Sequence, residues 1–448
     1  MRHLIINAKI INENKSFRGA VLVSGNFIED IFTSEVPEAL MNTCKITDAK
    51  GNLLLPGVID DQVHFRDFEL AYKGDIATES KAAISGGVTS FMDMPNTIPQ
   101  TTTQERMNEK FRQAEKNSYA NYSFYMGATN DNIEEILKTK PKEVCGVKIF
   151  MGSSTGNMLV DNPQSLSALF EKCPLLIAVH CEDEAIIRKN TDKYKKEFGD
   201  SLPIAFHPRI RNNKACLKSS SLAIKLAQKY DTRLHILHIS TAEEVKLLQK
   251  LKSMKQIGRI SSEVCVHHLW FDDSAYAKHG THVKWNPAIK SNSDKMALIE
   301  GLKNATLDVV ATDHAPHTLE EKNNTYWNAP SGAPMVQHSL SAMLELYKRN
   351  IFSLETIVDK MCHAPARLFN IHKRGFIRKG YFADLTIVDL NNKWTVDKKN
   401  ILYKCAWSPM EGTNFHAKVT HTFVNGIPVF ENGKFAETKH AMKLQFDR

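Results

Sequence analysis

The segment Leu53-Leu54-Leu55-Pro56-Gly57-Val58-Ile59-Asp60-Asp61-Gln62-Val63-His64-Phe65-Arg66 begins apolar and ends polar. Extended chain alternates sides, so Asp60, Gln62 and His64 share one side of it. Seven further runs have the same apolar body: 88–94, 122–126, 144–150, 175–180, 234–239, 260–266 and 307–312. With 53–60 they make eight candidate buried strands. Amphipathic stretches lie between most of them, as at 103–116, 215–229, 242–251 and 294–303. Thr241-Ala242-Glu243-Glu244 fits a capping box at a helix start. Buried strands alternating with helices predict parallel βα units, and eight of them fit a closed (β/α)8 TIM barrel. The alternative is an open doubly wound sheet. The early strands are not followed by a GxGxxG or Walker loop, which counts against it.

Both ends of the chain read differently. Short apolar segments with tight turns occupy 4–11, 20–24 and 26–31, and again 383–389, 419–425 and 427–430. This predicts one small β-domain built from both termini. The expected division is β-domain over 1–52, barrel over 53–370 and the rest of the β-domain over 371–448.

Composition is that of an ordinary globular protein, with 42% hydrophobic and 24% charged residues. At roughly 150 residues per domain, 448 residues suit one large barrel with an accessory. Disordered and fibrous classes are excluded. No run approaches the roughly 18 apolar residues of a membrane helix, and the start lacks the features of a signal peptide. The formal charge of +8 comes from lysines spread along the chain, so no nucleic-acid partner is expected. Such a field can still steer a small anion inward. Eight cysteines without a CxxC pair argue against disulfides or a thiolate zinc site and favour a reducing cytoplasm.

Barrel enzymes carry their chemistry where strands end. Here the ends of runs one, four, five, six and eight supply His64, Lys148, His180, His238 and Asp313. Each alone has an ordinary structural reading. A lysine within an apolar strand pairs with an anion or snorkels; a histidine hydrogen-bonds in the core; an aspartate caps a helix. His235 and His238 are three apart, so on a regular strand only one faces inward. Core packing does not readily produce all five together. Imidazole and carboxylate ligands suit Zn²⁺ and similar ions. Burial disfavours a charged lysine, and a neutral amine can take up carbon dioxide as a carbamate able to bridge two metals. The pattern points to metal-assisted hydrolysis of an amide-like bond, or its reverse.

These residues resemble the cyclic amidohydrolases, most closely the type I dihydroorotases, over nearly the whole chain. The resemblance rests on Pro56-Gly57-Val58-Ile59-Asp60 leading to His64-Phe65-Arg66, on Asp93-Met94-Pro95-Asn96-Thr97, and on Lys148-Ile149-Phe150-Met151-Gly152. It continues through His180-Cys181-Glu182, His207-Pro208-Arg209, His238-Ile239-Ser240-Thr241, Lys284-Trp285-Asn286-Pro287 and Asp313-His314-Ala315-Pro316-His317. It implies Zn²⁺, one or two ions per chain, held by His64, His180, His238 and Asp313, with Gln62 at a ligand position and carbamylated Lys148 as bridge. Asp313 would also shuttle the proton. Arg66 and Asn96, assisted by His317, would grip a substrate carboxylate, Asn286 would bond the ring, and Ser331-Gly332 would close the pocket. The implied reaction is reversible cyclisation of N-carbamoyl-L-aspartate to L-dihydroorotate in pyrimidine synthesis. The resemblance also allows a homodimer and association with aspartate transcarbamoylase.

Three departures bear on this. The family usually has His-x-His where this chain has Gln62-Val63-His64, and an amide oxygen is the weaker ligand. The usual Arg-Glu-Pro-Gly reads Arg66-Asp67-Phe68-Glu69. An acidic pair common after Arg211 is replaced by Asn212-Asn213-Lys214. Two competing readings therefore stand beside dihydroorotase: a hydantoinase- or allantoinase-like cyclic amidase, and a non-catalytic partner of aspartate transcarbamoylase.

Overall fold

In the computed structural model, residues 2–152 and 158–448 are described. Eight strands form one parallel sheet in chain order: β1 (Val58–Val63), β2 (Val88–Asp93), β3 (Asn121–Gly127), β4 (Gly146–Phe150), β5 (Ile177–His180), β6 (Leu234–Ile236), β7 (Ile260–Cys265) and β8 (Val309–Ala311). Almost every residue in them is buried, as expected of strands covered on both faces. A parallel bridge between Val63 and His314 closes the circle from β1 to the chain leaving β8. Asp60 reinforces the seam, accepting from the Thr312 hydroxyl at 2.6 Å and the Thr312 amide at 3.2 Å. Asp60 is thus part of the closure and does not share a side with Gln62 and His64.

The predicted helices lie between the strands. Gln104–Asn117 follows the N-cap Thr103, Asn213–Tyr230 follows Asn212, and Ala242–Ser253 follows Thr241. The Thr241 hydroxyl accepts from the Glu244 amide, while the Glu244 carboxylate takes the Thr241 hydroxyl at 2.8 Å. One end of the barrel interior is filled by Ile59, Met92, Tyr125, Leu176, Ala178 and Leu237, with Phe369 packed against them.

The run expected as one strand over 53–60 divides at Gly57. Leu53–Pro56 lies in a second sheet, antiparallel to Leu385–Asp389 and parallel to Arg2–Asn12. Both pieces are equally apolar, so hydrophobicity does not reveal the break. Gly57 does: a Cβ there would stand 2.1 Å from Thr89 Oγ1, so the chain crosses between sheets where only glycine fits. The second sheet also contains Lys15–Ser24, Phe27–Phe32, Lys45–Asp48, Lys418–Val424, Ile427–Glu431 and Lys434–Phe435. Both termini therefore build one β-sheet beside the barrel. Among the described residues, no helix is long and apolar enough to cross a membrane, and all eight cysteines are free thiols.

Candidate functional site

The ends of the strands surround a cavity of about 290 Å³. Its lining includes Gln62, His64, Arg66, Asn96, Lys148, His180, His238, Asn286, Asp313, His317, Ser331 and Gly332, so every candidate site residue reaches one place. Phe150, Ala315 and Pro330 complete the wall. The sequence gives no signal for these three beyond their adjacency to polar neighbours.

Backbone turns aim several of the side chains. His238 and Asp313 lie just beyond β6 and β8 with φ of +39° and +46°, and Arg66 follows β1 with φ +70°. Such conformations cost a non-glycine residue energy and persist where the surroundings impose them. Because β6 ends at Ile236, the two-residue alternation does not extend to His238. Both histidines therefore face inward at different depths, which corrects the expectation that only one could. His238 reaches the cavity, whereas His235 meets Asp61 of β1 at 3.2 Å. β1 and β6 are not neighbours in the sheet, so that contact spans the barrel interior.

At one side of the cavity, His180 Nδ1 and His238 Nε2 lie 3.0 Å apart. His180 Nε2 is 2.9 Å from Glu182, which also pairs with Arg211. Burial works to raise the Glu182 carboxyl, yet Arg211 and His180 together hold it down to about 2. Glu182 is therefore a fixed anion that accepts the hydrogen bond of the His180 Nε2–H and turns the Nδ1 lone pair toward His238. Burial lowers the pKa of both histidines, outweighing Glu182 at His180 and reinforced by His180 at His238. Burial also brings Lys148 down to about 7 against the opposing pull of Asp313. Its amine lies 4.6 Å from the centre of the Phe150 ring.

At the other side, Asp313 Oδ1 is 3.0 Å from His64 Nε2 and accepts from Gln62 Nε2 at 3.1 Å. His64 Nδ1 lies 2.6 Å from Asn96 Oδ1. The amide of Gln62 thus turns its donor toward Asp313, with its oxygen 3.9 Å from Cys265 Sγ. This donor set fits a divalent ion: neutral imidazoles facing each other at hydrogen-bond distance, a carboxylate and a lysine whose charge is easily lost. His180, His238 and Lys148 form the more complete half. The Gln62–His64 half offers one imidazole and an amide.

Arg66 is buried, with Nε donating to the Pro316 carbonyl at 3.0 Å and Nη2 lying 3.0 Å from His317 Nε2. Burial and then Arg66 push the His317 pKa well down. Among the described residues, no carboxylate stands within ion-pair distance of Arg66. Ser331 Oγ donates to Asn286 Oδ1 at 3.0 Å across the rim. Behind the wall, His207 ties the Trp285 carbonyl at 2.7 Å to the Tyr326 hydroxyl at 2.9 Å, fixing the turn that carries Asn286.

The family model described as "Amidohydrolase family" matches residues 53–429, most of the chain. The chain belongs to the amidohydrolase family. It is 31% identical to the dihydroorotase of Methanosphaera stadtmanae over 411 residues, covering 92% of this chain and 91% of that one. It is 30% identical to the dihydroorotase of Ehrlichia canis, covering 94% and 93%. Among solved structures, the L-hydantoinase (dihydropyrimidinase) of Arthrobacter aurescens superposes with a TM-score of 0.93 at 27% identity, over 99% of both chains. These similarities extend over both the barrel and the terminal sheet.

Proposed function

We propose that this amidohydrolase is a dihydroorotase that closes N-carbamoyl-L-aspartate to L-dihydroorotate, reversibly and with loss of water. The observation that carries the reading is Arg66: a buried guanidinium facing a small cavity, with no carboxylate at ion-pair distance among the described residues. A cation so placed calls for an anionic ligand. Its planar fork suits a carboxylate, which both substrates bear and unsubstituted hydantoin lacks. The identity with dihydroorotases over nine-tenths of the chain supports the same assignment.

We assign His180, His238 and Lys148 to hold one divalent ion, with His64, Asp313 and Gln62 available to a second, looser one. Bound there, a Zn²⁺-type ion supplies water ionised near neutral pH and polarisation of the ring carbonyl. Arg66 and Asn96 orient the substrate carboxylate, and His317 supports the guanidinium. Glu182 and Arg211 keep the His180 ring in one tautomer. Both hydrogen bonds to Asp313 fall on Oδ1, so Oδ2 is the atom we assign to the proton passed to or from the ring nitrogen. The Lys148 amine, with a pKa of about 7, loses its proton as pH rises through neutrality and then becomes open to carbon dioxide. Uptake of ¹³C-bicarbonate, seen as a carbamate resonance and absent in Lys148→Ala, is expected to grow as pH rises from 6 to 8.

The test is a panel of N-carbamoyl-L-aspartate, L-dihydroorotate, hydantoin and allantoin with protein supplied with Zn²⁺ and bicarbonate. Preferred turnover of the two carboxylate-bearing compounds supports dihydroorotase. Faster opening of hydantoin or allantoin would reassign the site to the alternative its fold relatives suggest. No turnover with any compound would leave the scaffold reading.

A further inference from the structure

Beneath the cavity, inside the barrel, lies a second polar cluster that the reaction does not use. Asp61 of β1, His235 of β6 and Glu263 of β7 meet there, all fully buried. His235 Nε2 is 3.2 Å from Asp61 Oδ2 and 3.6 Å from Glu263 Oε2. All three donor atoms lie within 4.8 Å of one another.

These contacts are close, yet none has hydrogen-bond geometry. Both oxygens of Asp61, Oε2 of Glu263 and Nε2 of His235 lack a hydrogen-bond partner. Buried polar atoms are seldom left so, and here four orphans converge. The surrounding bonds explain which atoms are left over. Glu263 Oε1 is occupied by the His238 amide at 3.0 Å and by the Cys265 thiol at 3.4 Å, which leaves Oε2 turned inward. The Ser261 hydroxyl donates to the Leu234 carbonyl, and His235 Nδ1 lies 2.9 Å from Ser261 Oγ. Nδ1 is therefore a donor, and Nε2 is the atom aimed at the two carboxylates. Burial works to lower the His235 pKa, but without an ion Asp61 and Glu263 raise it to about 9, so a cation would take the place of the Nε2 proton. An outer hydrogen bond that fixes the tautomer is the usual arrangement of a ligating histidine.

The spacing agrees with a metal. With ligand bonds of about 2.0–2.1 Å, two donors at the corners of a tetrahedron lie roughly 3.3–3.4 Å apart. The contacts of 3.2 and 3.6 Å bracket that value. Two carboxylates also balance the charge of a divalent ion in this buried place. We propose that Asp61, His235 and Glu263 form an interior site for a divalent cation of the Zn²⁺ class. It is separate from the ions of the catalytic mouth, and it pins β1, whose pairing with β2 shifts register between Asp60 and Val63, to β6 and β7 from below. Residue 61 is held next to Gln62, so the site also fixes where the mouth begins. The inference is independent of which cyclic amide the mouth accepts.

The test uses the full chain and Zn²⁺. Crystals grown with Zn²⁺ and measured on both sides of the zinc absorption edge should show an anomalous peak bounded by Asp61, His235 and Glu263. In a His180→Ala/His238→Ala variant, metal analysis after dialysis should retain one equivalent per chain, and adding Glu263→Gln should remove it. Wild-type crystals with peaks only among the mouth residues would overturn the proposal. So would loss of all zinc from the His180→Ala/His238→Ala variant while it remains folded by circular dichroism. The wild-type map decides the question if a variant fails to fold, and turnover by the same preparation reports separately on the mouth.

Discussion

The two ends of the barrel interior are made by the same strands and held by different forces. On β5, Ala178 packs in the apolar plug, and two residues later His180 enters the polar cavity. On β1, Ile59 belongs to the plug, while Gln62 and then His64 reach the mouth. At the plug, rings and aliphatic chains fill space, and any group of similar volume and polarity would serve. At the mouth, buried imidazoles, an amine and carboxylates are kept in place by strained turns and outer hydrogen bonds. Within the barrel interior, one end is thus held by apolar packing and the other carries the chemistry.

Substitutions at the two ends should separate those properties. Asp313→Asn should lower kcat by about 10³-fold or more while leaving the unfolding midpoint nearly unchanged, since it removes the proton carrier and no packing. Comparable loss of stability in urea would show that the mouth also holds the fold. Phe369→Ala should do the reverse. Deleting a buried ring from the plug should cost about 3–5 kcal/mol in urea unfolding, with kcat per folded molecule little changed. Arg66→Lys keeps the charge and loses the fork. It should raise KM for N-carbamoyl-L-aspartate by roughly 10- to 100-fold, the range of a charge-assisted hydrogen bond. A neutral hydantoin, if turned over at all, should be indifferent to it.

A smaller effect follows from two buried histidines that do not line the cavity. Burial holds His338, which lies 3.2 Å from the Tyr403 hydroxyl, down to about 3. Burial and then Lys290 hold His268 to about 4. Both are neutral in the folded chain and titrate near 6.5 when unfolded. Their contribution is therefore complete above pH 6.5 and is lost as pH falls toward 4 and 3. Metal-free protein should lose about 1 kcal/mol per pH unit for each such group below 6.5, read from urea midpoints. His338→Gln should flatten that slope.

The fold was legible because a parallel barrel needs continuous apolar strands, and each of the eight left such a run. The mouth was legible because His64, Lys148, His180, His238 and Asp313 fall together at strand ends, a coincidence that core packing does not readily produce, and because their motifs resemble a known family. The division at Gly57 was hidden because Leu53–Pro56 and Val58–Val63 are both fully buried, though in different sheets. The interior cluster was hidden by the assumption of regular alternation. β1 shifts register between Asp60 and Val63, so Asp61 turns inward, and His238 leaves the strand after Ile236, so it reaches the mouth without displacing His235 from the interior. Two consecutive aspartates in an apolar strand were the available signal. One side chain of such a pair must be buried whichever way the strand faces. The second layer, Glu182 with Arg211, depends on residues 29 positions apart and left no local pattern.

The most direct test of the central claim is turnover of L-dihydroorotate and N-carbamoyl-L-aspartate by protein supplied with Zn²⁺ and bicarbonate, measured beside Asp313→Ala. The account predicts interconversion in both directions by the wild-type chain, abolished by the substitution and by chelation. Equal, background rates for wild type and variant, from folded protein with zinc bound at His180 and His238, would contradict it.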